Sequence, residues 1–190
     1  MEKLTEIRWH GRGGQGAVTA AKLVAETALK QDKYFQASPE YGPERMGAPI
    51  QAFTRISSEP ISIHCAVTNP GIVVVLDPTL LAVVDVAEGL APDGALIINT
   101  EQSPAQIRAA HNIEGHKIFT VDANKIAIES IGKAIPNTPM LGALLKATGI
   151  MDRDKVAEHI RDSFGKKFSQ EIIDGNVEAF TRAYEEAQSE

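Results

Sequence analysis

At 190 residues, 43% hydrophobic and 23% charged, the chain has the length and composition of one ordinary globular domain with a buried core. Its formal net charge of −6 argues against nucleic acid as a partner, because phosphate binding needs a concentrated basic face. No apolar run of about 18 residues offers a membrane span, and Met1-Glu2-Lys3-Leu4-Thr5-Glu6 lacks an export signal, so the expected location is cytoplasmic with no membrane contact.

In chain order, Glu6-Ile7-Arg8-Trp9-His10 reads as a short strand ending at a glycine cluster. Gly16 to about Lys30 is rich in Ala, Leu and Val at helical spacing. Lys33 to Ser38 and Pro49 to Ile56 read as two further strands. In the second, Ile50, Ala52 and Thr54 alternate with Gln51, Phe53 and Arg55, which predicts two unlike faces. Ile61-Ser62-Ile63-His64 is expected to pair with it through a turn at Ser57-Ser58-Glu59-Pro60. Gly71-Ile72-Val73-Val74-Val75-Leu76 is an unbroken β-branched run, as suits a central parallel strand buried on both faces. Asp77-Pro78 then ends the strand and opens a helix. The pattern recurs at Ala95 to Asn99 and Lys117 to Asp122, each with a helix after it. From Asn137 onward the chain reads as helical: Thr138 to Ala147, Asp152 to Asp162, and Gln170 to Ala187, the last two with cap-like starts. The expected fold is one domain over residues 1–190: a three-layer α/β/α sandwich with a mostly parallel, mixed sheet and a helical C-terminal part.

Gly11-Arg12-Gly13-Gly14-Gln15-Gly16 carries the strongest local signal. It satisfies G-x-G-x-x-G between a strand and a helix. Glycines there let the backbone turn and approach a phosphate, and the free N–H groups of the helix start attract an anion. Arg12 would add a charged fork. Tight strand–helix packing explains the same glycines equally well. A nicotinamide site is disfavoured: the acid expected about 20 positions on is absent from Phe35-Gln36-Ala37-Ser38. The second unusual stretch, Ser38 to Pro49, is stiff with prolines and glycines. Within it, Tyr41, Arg45 and Met46 are residue types enriched at protein interfaces. If the two preceding strands run parallel, both loops share the carboxyl edge, where α/β proteins place ligands.

The remaining candidates are weaker. Asp77 sits at a strand end, but helix capping accounts for it. Cys65, the sole cysteine, reads as a small buried hydrophobe and excludes both a disulfide and an iron–sulfur cluster held by this chain. The histidines make no close ligand pair. His111 and His116, placed in a loop, read as solvated.

Taken together, Arg8 to Ala17, Tyr41 to Pro49, Phe53 to Ile56, Leu76 to Leu81 and Asn137 to Ala143 resemble the gamma subunits of pyruvate:ferredoxin oxidoreductases, within the 2-oxoacid:acceptor oxidoreductase gamma family, over about residues 4 to 185. The resemblance implies a share in the reaction pyruvate + coenzyme A + oxidised ferredoxin = acetyl-CoA + carbon dioxide + reduced ferredoxin. A 2-oxoglutarate or other 2-oxoacid enzyme is the alternative, and a stand-alone nucleotide-binding protein the more distant one. No catalytic residue is assigned to this chain and no metal. Thiamine diphosphate, Mg2+ and [4Fe-4S] clusters are expected on partner subunits, which would also meet ferredoxin. Consistent with this, Pro92-Asp93-Gly94 and Ile173-Asp174-Gly175 both lack the first Gly of the thiamine-diphosphate metal motif. Under the resemblance, Gly11, Arg12, Gly13, Gly14, Gln15 and Gly16 form a candidate coenzyme A or anion loop. Tyr41, Gly42, Pro43, Glu44, Arg45, Met46 and Gly47 are expected at an interface or at the active-site entrance. The small loops also suit a homodimer when partners are absent.

Overall fold

The computed structural model describes residues 4–40, 47–165 and 167–190. Seven strands, β1 (Leu4–Arg12), β2 (Tyr34–Glu40), β3 (Pro49–Ser57), β4 (Ile72–Val75), β5 (Ala95–Asn99), β6 (Lys117–Val121) and β7 (Gln188–Ser189), form one sheet in the order β2-β3-β1-β4-β5-β6-β7. β1, β4, β5 and β6 pair in parallel, while β3 is antiparallel to both β1 and β2. β2 therefore runs in the same direction as β1, and the carboxyl ends of these two strands lie on one edge. The helices are α1 (Ala17–Leu29), α2 (Pro104–His111), α3 (Ala123–Ile131), α4 (Asn137–Thr148), α5 (Arg153–Gly165) and α6 (Gln170–Glu186). Among the described residues, no helix is long and apolar enough to cross a membrane.

The central strands bury both faces, as their β-branched runs predict. Ile72, Val74 and Ile97 point into a large core with α1, α4 and α6, whereas Val73, Val75, Leu96 and Ile98 point into a smaller one with Leu80, Val86, Leu90 and Ile107. Each fully buried aliphatic side chain contributes about 1.5–3 kcal/mol. On the larger side α1 lies against β1, β2 and β3 and α4 against β5 and β6. Ala17, Ala20, Ala21, Val24 and Ala28 form the buried face of α1, and small side chains at that spacing let the helix approach the sheet. Trp9 anchors this contact. Its Nε1 donates to Thr54 Oγ1 at 3.1 Å, and Thr54 Oγ1 donates to the Ala21 carbonyl at 3.0 Å. One hydrogen-bonded chain thus links β1, β3 and α1.

The opposite face differs between the two halves of the sheet. Over β4 to β6 it carries α2, whose start is a Ser103/Gln106 capping box with Pro104 in the first turn. Over β1 to β3 it is polar and covered by irregular chain. Arg55, only 3% exposed, pairs with Glu6 at 2.7 Å and donates to Gln36 Oε1 and to the Ile63 and Ala66 carbonyls. Arg8 donates to the Val86 and Glu88 carbonyls. Two buried guanidinium groups, each bonded to side chains of the sheet and to backbone oxygens beyond it, hold down segments that have no regular structure of their own.

Several expectations need correction. Residues 61–64 form no strand: they lie across the polar face, and their antiparallel role is taken by β1 and β2 on either side of β3. The mixed sheet follows, but for a different reason. No α-helix follows β4. Asp77 caps a 3-10 helix, Pro78–Ala82, which gives way to turns. Cys65 is exposed, because the segment carrying it is not packed into the core. The C-terminal part is not wholly helical: β7 pairs antiparallel with β6. His111 ends α2, and His116 is half-buried with Nδ1 3.1 Å from the Ala91 carbonyl oxygen.

Candidate functional site at the carboxyl edge of the sheet

The glycine loop leaves β1 at Arg12 and enters α1 at Gly16. Gly14 and Gly16 take positive φ values of 98° and 82°, a backbone region that glycine enters without steric cost. Gly16 is also pressed against the start of α4: a Cβ there would stand 2.8 Å from Asn137 Nδ2. Neither helix start has a side-chain cap or an acidic residue in its first turn. Two helix N-termini, each the positive end of its helix dipole, therefore abut, but the free N–H groups come chiefly from α1, since the first turn of α4 contains Pro139 and its Thr138 N–H is taken. Asn137 is buried and its Oδ1 accepts from the Thr138 N–H at 2.8 Å.

The loop has two sides of unlike character. On one side, Gly14 and Gly16 line a cleft of about 570 Å³. The exposed Lys22, Lys133 and Lys167 also line it, together with Ile135, Phe164, Phe168 and Ile172. Phe164 and Phe168 meet edge to face at 5.4 Å. Glu26 and Ser163 also line the cleft, and the buried His159 behind them has Nε2 3.2 Å from Glu26 Oε2 and 3.0 Å from Ser163 Oγ. A cleft with an apolar lining, three cations against the single carboxylate of Glu26, and two helix starts suits an anion that carries an apolar or planar body.

On the other side the loop is tied to the end of β4. Gln15 Nε2 donates to Asp77 Oδ2 at 2.7 Å, and Gln15 Oε1 accepts from the Arg12 N–H at 2.8 Å. Arg12 Nε lies 3.2 Å from Asp77 Oδ2, and Nη2 donates to Thr79 Oγ1 at 3.0 Å. Arg12 Nη1 donates to the Gly47 carbonyl at 3.2 Å, and the Gly13 N–H to the Ala48 carbonyl at 3.1 Å. Asp77 Oδ1 accepts from the Thr79 N–H at 2.9 Å and its hydroxyl at 2.6 Å. Burial alone would raise the Asp77 carboxyl pKa. Hydrogen bonds from Thr79 and Gln15, helped by the charge of Arg12, outweigh it and hold the group below its ordinary value.

Gly11 to Gly16 are thus all placed at one edge, with Gly47 beside them. Tyr41, Gly42, Pro43, Glu44, Arg45 and Met46 lie outside the described residues. Arg12 turns away from the cleft toward Asp77, so attraction of an anion there falls to the helix starts and the lysines. Two features escaped the sequence. Asp77 looked like a cap, and its second oxygen's hold on Gln15 and Arg12 needs the β1–β4 pairing to be seen. Lys133 and Lys167 come from separate loops and had no shared signal. The i, i+3, i+7 row Thr19, Lys22, Glu26 on α1 could have marked that helix face. Among the described residues, no group of three or more His, Cys, Asp or Glu side chains could hold a metal ion.

Comparison with known proteins identifies the lineage. Residues 6–186 match the family described as pyruvate ferredoxin/flavodoxin oxidoreductase. The chain is 51% identical over 185 residues to the pyruvate synthase subunit PorC of Thermotoga maritima, covering 97% of this chain and 95% of that one. It is 47% identical over 185 residues to the gamma subunit common to the pyruvate and ketoisovalerate oxidoreductases of Pyrococcus abyssi, covering 97% and 98%. The crystal structure of the PORC subunit of Thermotoga maritima pyruvate oxidoreductase matches with a TM-score of 0.87 at 47% identity over 99% of each chain. At 21% identity the same fold recurs in a 2-oxoglutarate:ferredoxin oxidoreductase from Magnetococcus marinus, with a TM-score of 0.77 over 96% of this chain and 31% of that longer one. With the match spanning nearly every residue, this chain belongs to the pyruvate ferredoxin/flavodoxin oxidoreductase family.

Proposed function

We propose that this chain is the gamma subunit of a multi-subunit pyruvate:ferredoxin oxidoreductase, which converts pyruvate and coenzyme A to acetyl-CoA and carbon dioxide while reducing ferredoxin. The observation that carries this reading is the 51% identity to a pyruvate synthase subunit across almost the whole of both chains. A second reading has its own support. The Pyrococcus relatives serve pyruvate and ketoisovalerate enzymes in common, so this chain would also fit a complex acting on a branched 2-oxoacid.

Within such a complex the division of labour follows from the residues. The chain has one cysteine, and it is exposed. A [4Fe-4S] cluster takes four thiolates, so clusters belong to partner subunits, and with Pro92-Asp93-Gly94 and Ile173-Asp174-Gly175 both short of the thiamine-diphosphate metal motif, thiamine diphosphate and Mg2+ are assigned there too, to supply the decarboxylation. This chain acts as a single domain that packs on those subunits. Its glycine loop faces the entrance and helps receive coenzyme A. Its phosphates suit the two abutting helix starts and the cleft lysines, and its apolar portions suit the Phe164–Phe168 lining. The complex works in the cytoplasm.

The test is an anaerobic pull-down of the tagged chain from its native host, followed by viologen reduction with coenzyme A and either pyruvate or 2-ketoisovalerate. Recovery of larger thiamine- and cluster-bearing chains with activity on pyruvate supports the first reading. Activity on both substrates supports a shared subunit, and a chain recovered alone and inactive sinks both.

A further inference from the structure

Capping explains only half of Asp77. The cap of the 3-10 helix uses Oδ1, which accepts from the Thr79 N–H and hydroxyl. Oδ2 has no part in that cap. It faces Gln15 Nε2 at 2.7 Å and Arg12 Nε at 3.2 Å, both from the glycine loop. Arg12 in turn reaches the Gly47 carbonyl, where the chain returns into β3. One buried carboxylate, 8% exposed, thus joins the end of β4, the glycine loop and the entry to β3. Among the described residues no other ion pair ties the glycine loop to the rest of the chain.

We propose that Asp77 is a positioning residue, whose Oδ2 grips Gln15 and Arg12 so that the glycine loop and the entry to β3 form one rigid edge for coenzyme A to meet. The proposal rests on the reading of that edge as the coenzyme A entrance. Glycines at 13, 14 and 16 leave the loop little rigidity of its own, since such backbone has many conformations to lose. Fixing it in advance is what a loop that receives a ligand requires. The gripping atoms lie on the side away from the cleft, so Asp77 acts through the loop and not by touching the ligand.

The chemistry supplies a selective variant. In Asp77→Asn, Oδ1 can still accept from Thr79, so the cap survives. The new Nδ2 then turns two donors toward Gln15 Nε2 and the Arg12 guanidinium, which are donors themselves, and a flip of the Gln15 amide would only set its Nε2 against the Arg12 N–H. Arg12→Met removes the guanidinium from a partly exposed site and breaks the same link from the other end.

Both variants are made in the assembled complex, with coenzyme A and pyruvate kinetics measured alongside amide hydrogen exchange. The expected result is faster exchange over residues 11–16 with β5 unchanged, and a KM for coenzyme A raised about tenfold while that for pyruvate moves less than about twofold. The double variant should be no worse than the poorer single, because both cut one link. Faster loop exchange with an unchanged KM for coenzyme A would uphold the gripping role and overturn the coenzyme A reading of the edge. Unchanged exchange over residues 11–16 in Asp77→Asn, or in Arg12→Met should the first fail to assemble, would overturn the proposal.

Discussion

Replacing Gly142 with alanine should weaken the fold, although helix propensity alone argues the reverse. Gly142 lies within α4 and faces α6. A methyl group there would stand 2.2 Å from the Phe180 carbonyl oxygen and 2.8 Å from the Tyr184 nitrogen. Both are backbone atoms of α6, so no side chain can rotate out of the way. Comfortable non-bonded contact begins near 3.5 Å, so the helices must part by about 1 Å. Overpacking of this kind costs about 1–3 kcal/mol, and the rigid obstacles put it at the upper end. Alanine returns about 1 kcal/mol of propensity. The net loss is about 2 kcal/mol, or roughly 4–8 °C in melting temperature for a chain of this size. Gly165 is the internal control. It ends α5, and a Cβ there meets nothing within 4 Å, so Gly165→Ala should leave the melting temperature unchanged or slightly higher. Thermal and urea unfolding of the purified chain decide the matter. A Gly142→Ala protein melting at or above the parent would refute the close-packing argument.

Two further outcomes follow from single residues. His10 is buried on β1, where burial first and the neighbouring Arg8 second lower its pKa to about 4. Arg8 Nε donates to His10 Nε2 at 3.0 Å, which requires that nitrogen to be unprotonated. The unfolded chain takes up this proton near pH 6.5 and the folded one only near pH 4. Stability is therefore full above pH 6.5 and declines as pH falls through that window, by at most about 3 kcal/mol. His10→Gln should flatten the decline measured by urea unfolding between pH 7 and pH 4, and an unaltered slope would assign it elsewhere. Cys65 is exposed, so a thiol reagent should modify it fully in the isolated native chain, without denaturant. Resistance until unfolding would return it to the core.

How far the sequence could be read depended on where each residue's partners lie. The central strands were legible because burial on both faces leaves a local mark, the apolar runs at Ile72 to Val75 and Ala95 to Asn99. Helices α4 to α6 were legible from periodicity within a few residues. The segment 61–64 alternates like a strand, yet it is held by Arg55 of β3 through the Ile63 and Ala66 carbonyls. A side chain there does what a backbone ladder was expected to do, and no local pattern separates the two. β7 is two residues long and owes its existence to the exposed edge of β6. At the site, the glycine string announced itself, but its partners did not. Asn137, Asp77, Lys133 and Lys167 reach it from distances of tens of residues or more, and only the tertiary fold brings them together.

The place of β1 in the sheet also bears on how the chain reaches its native state. It lies between β3 and β4, so a strand that precedes both in the chain pairs with residues 49–57 on one side and 72–75 on the other. Ile7 and Trp9 must wait for both neighbours before they are enclosed. Non-local pairing of this kind slows folding and lengthens the exposure of apolar surface. Arg8 adds a further delay, since its Nη2 finds its partners at the carbonyls of residues 86 and 88, some 80 positions on. A nascent chain halted before that point would carry a buried-type arginine with nothing to bury it against. Substitutions at Trp9 or Arg8 are accordingly expected to reduce the yield of folded protein out of proportion to their effect on the stability of what does fold.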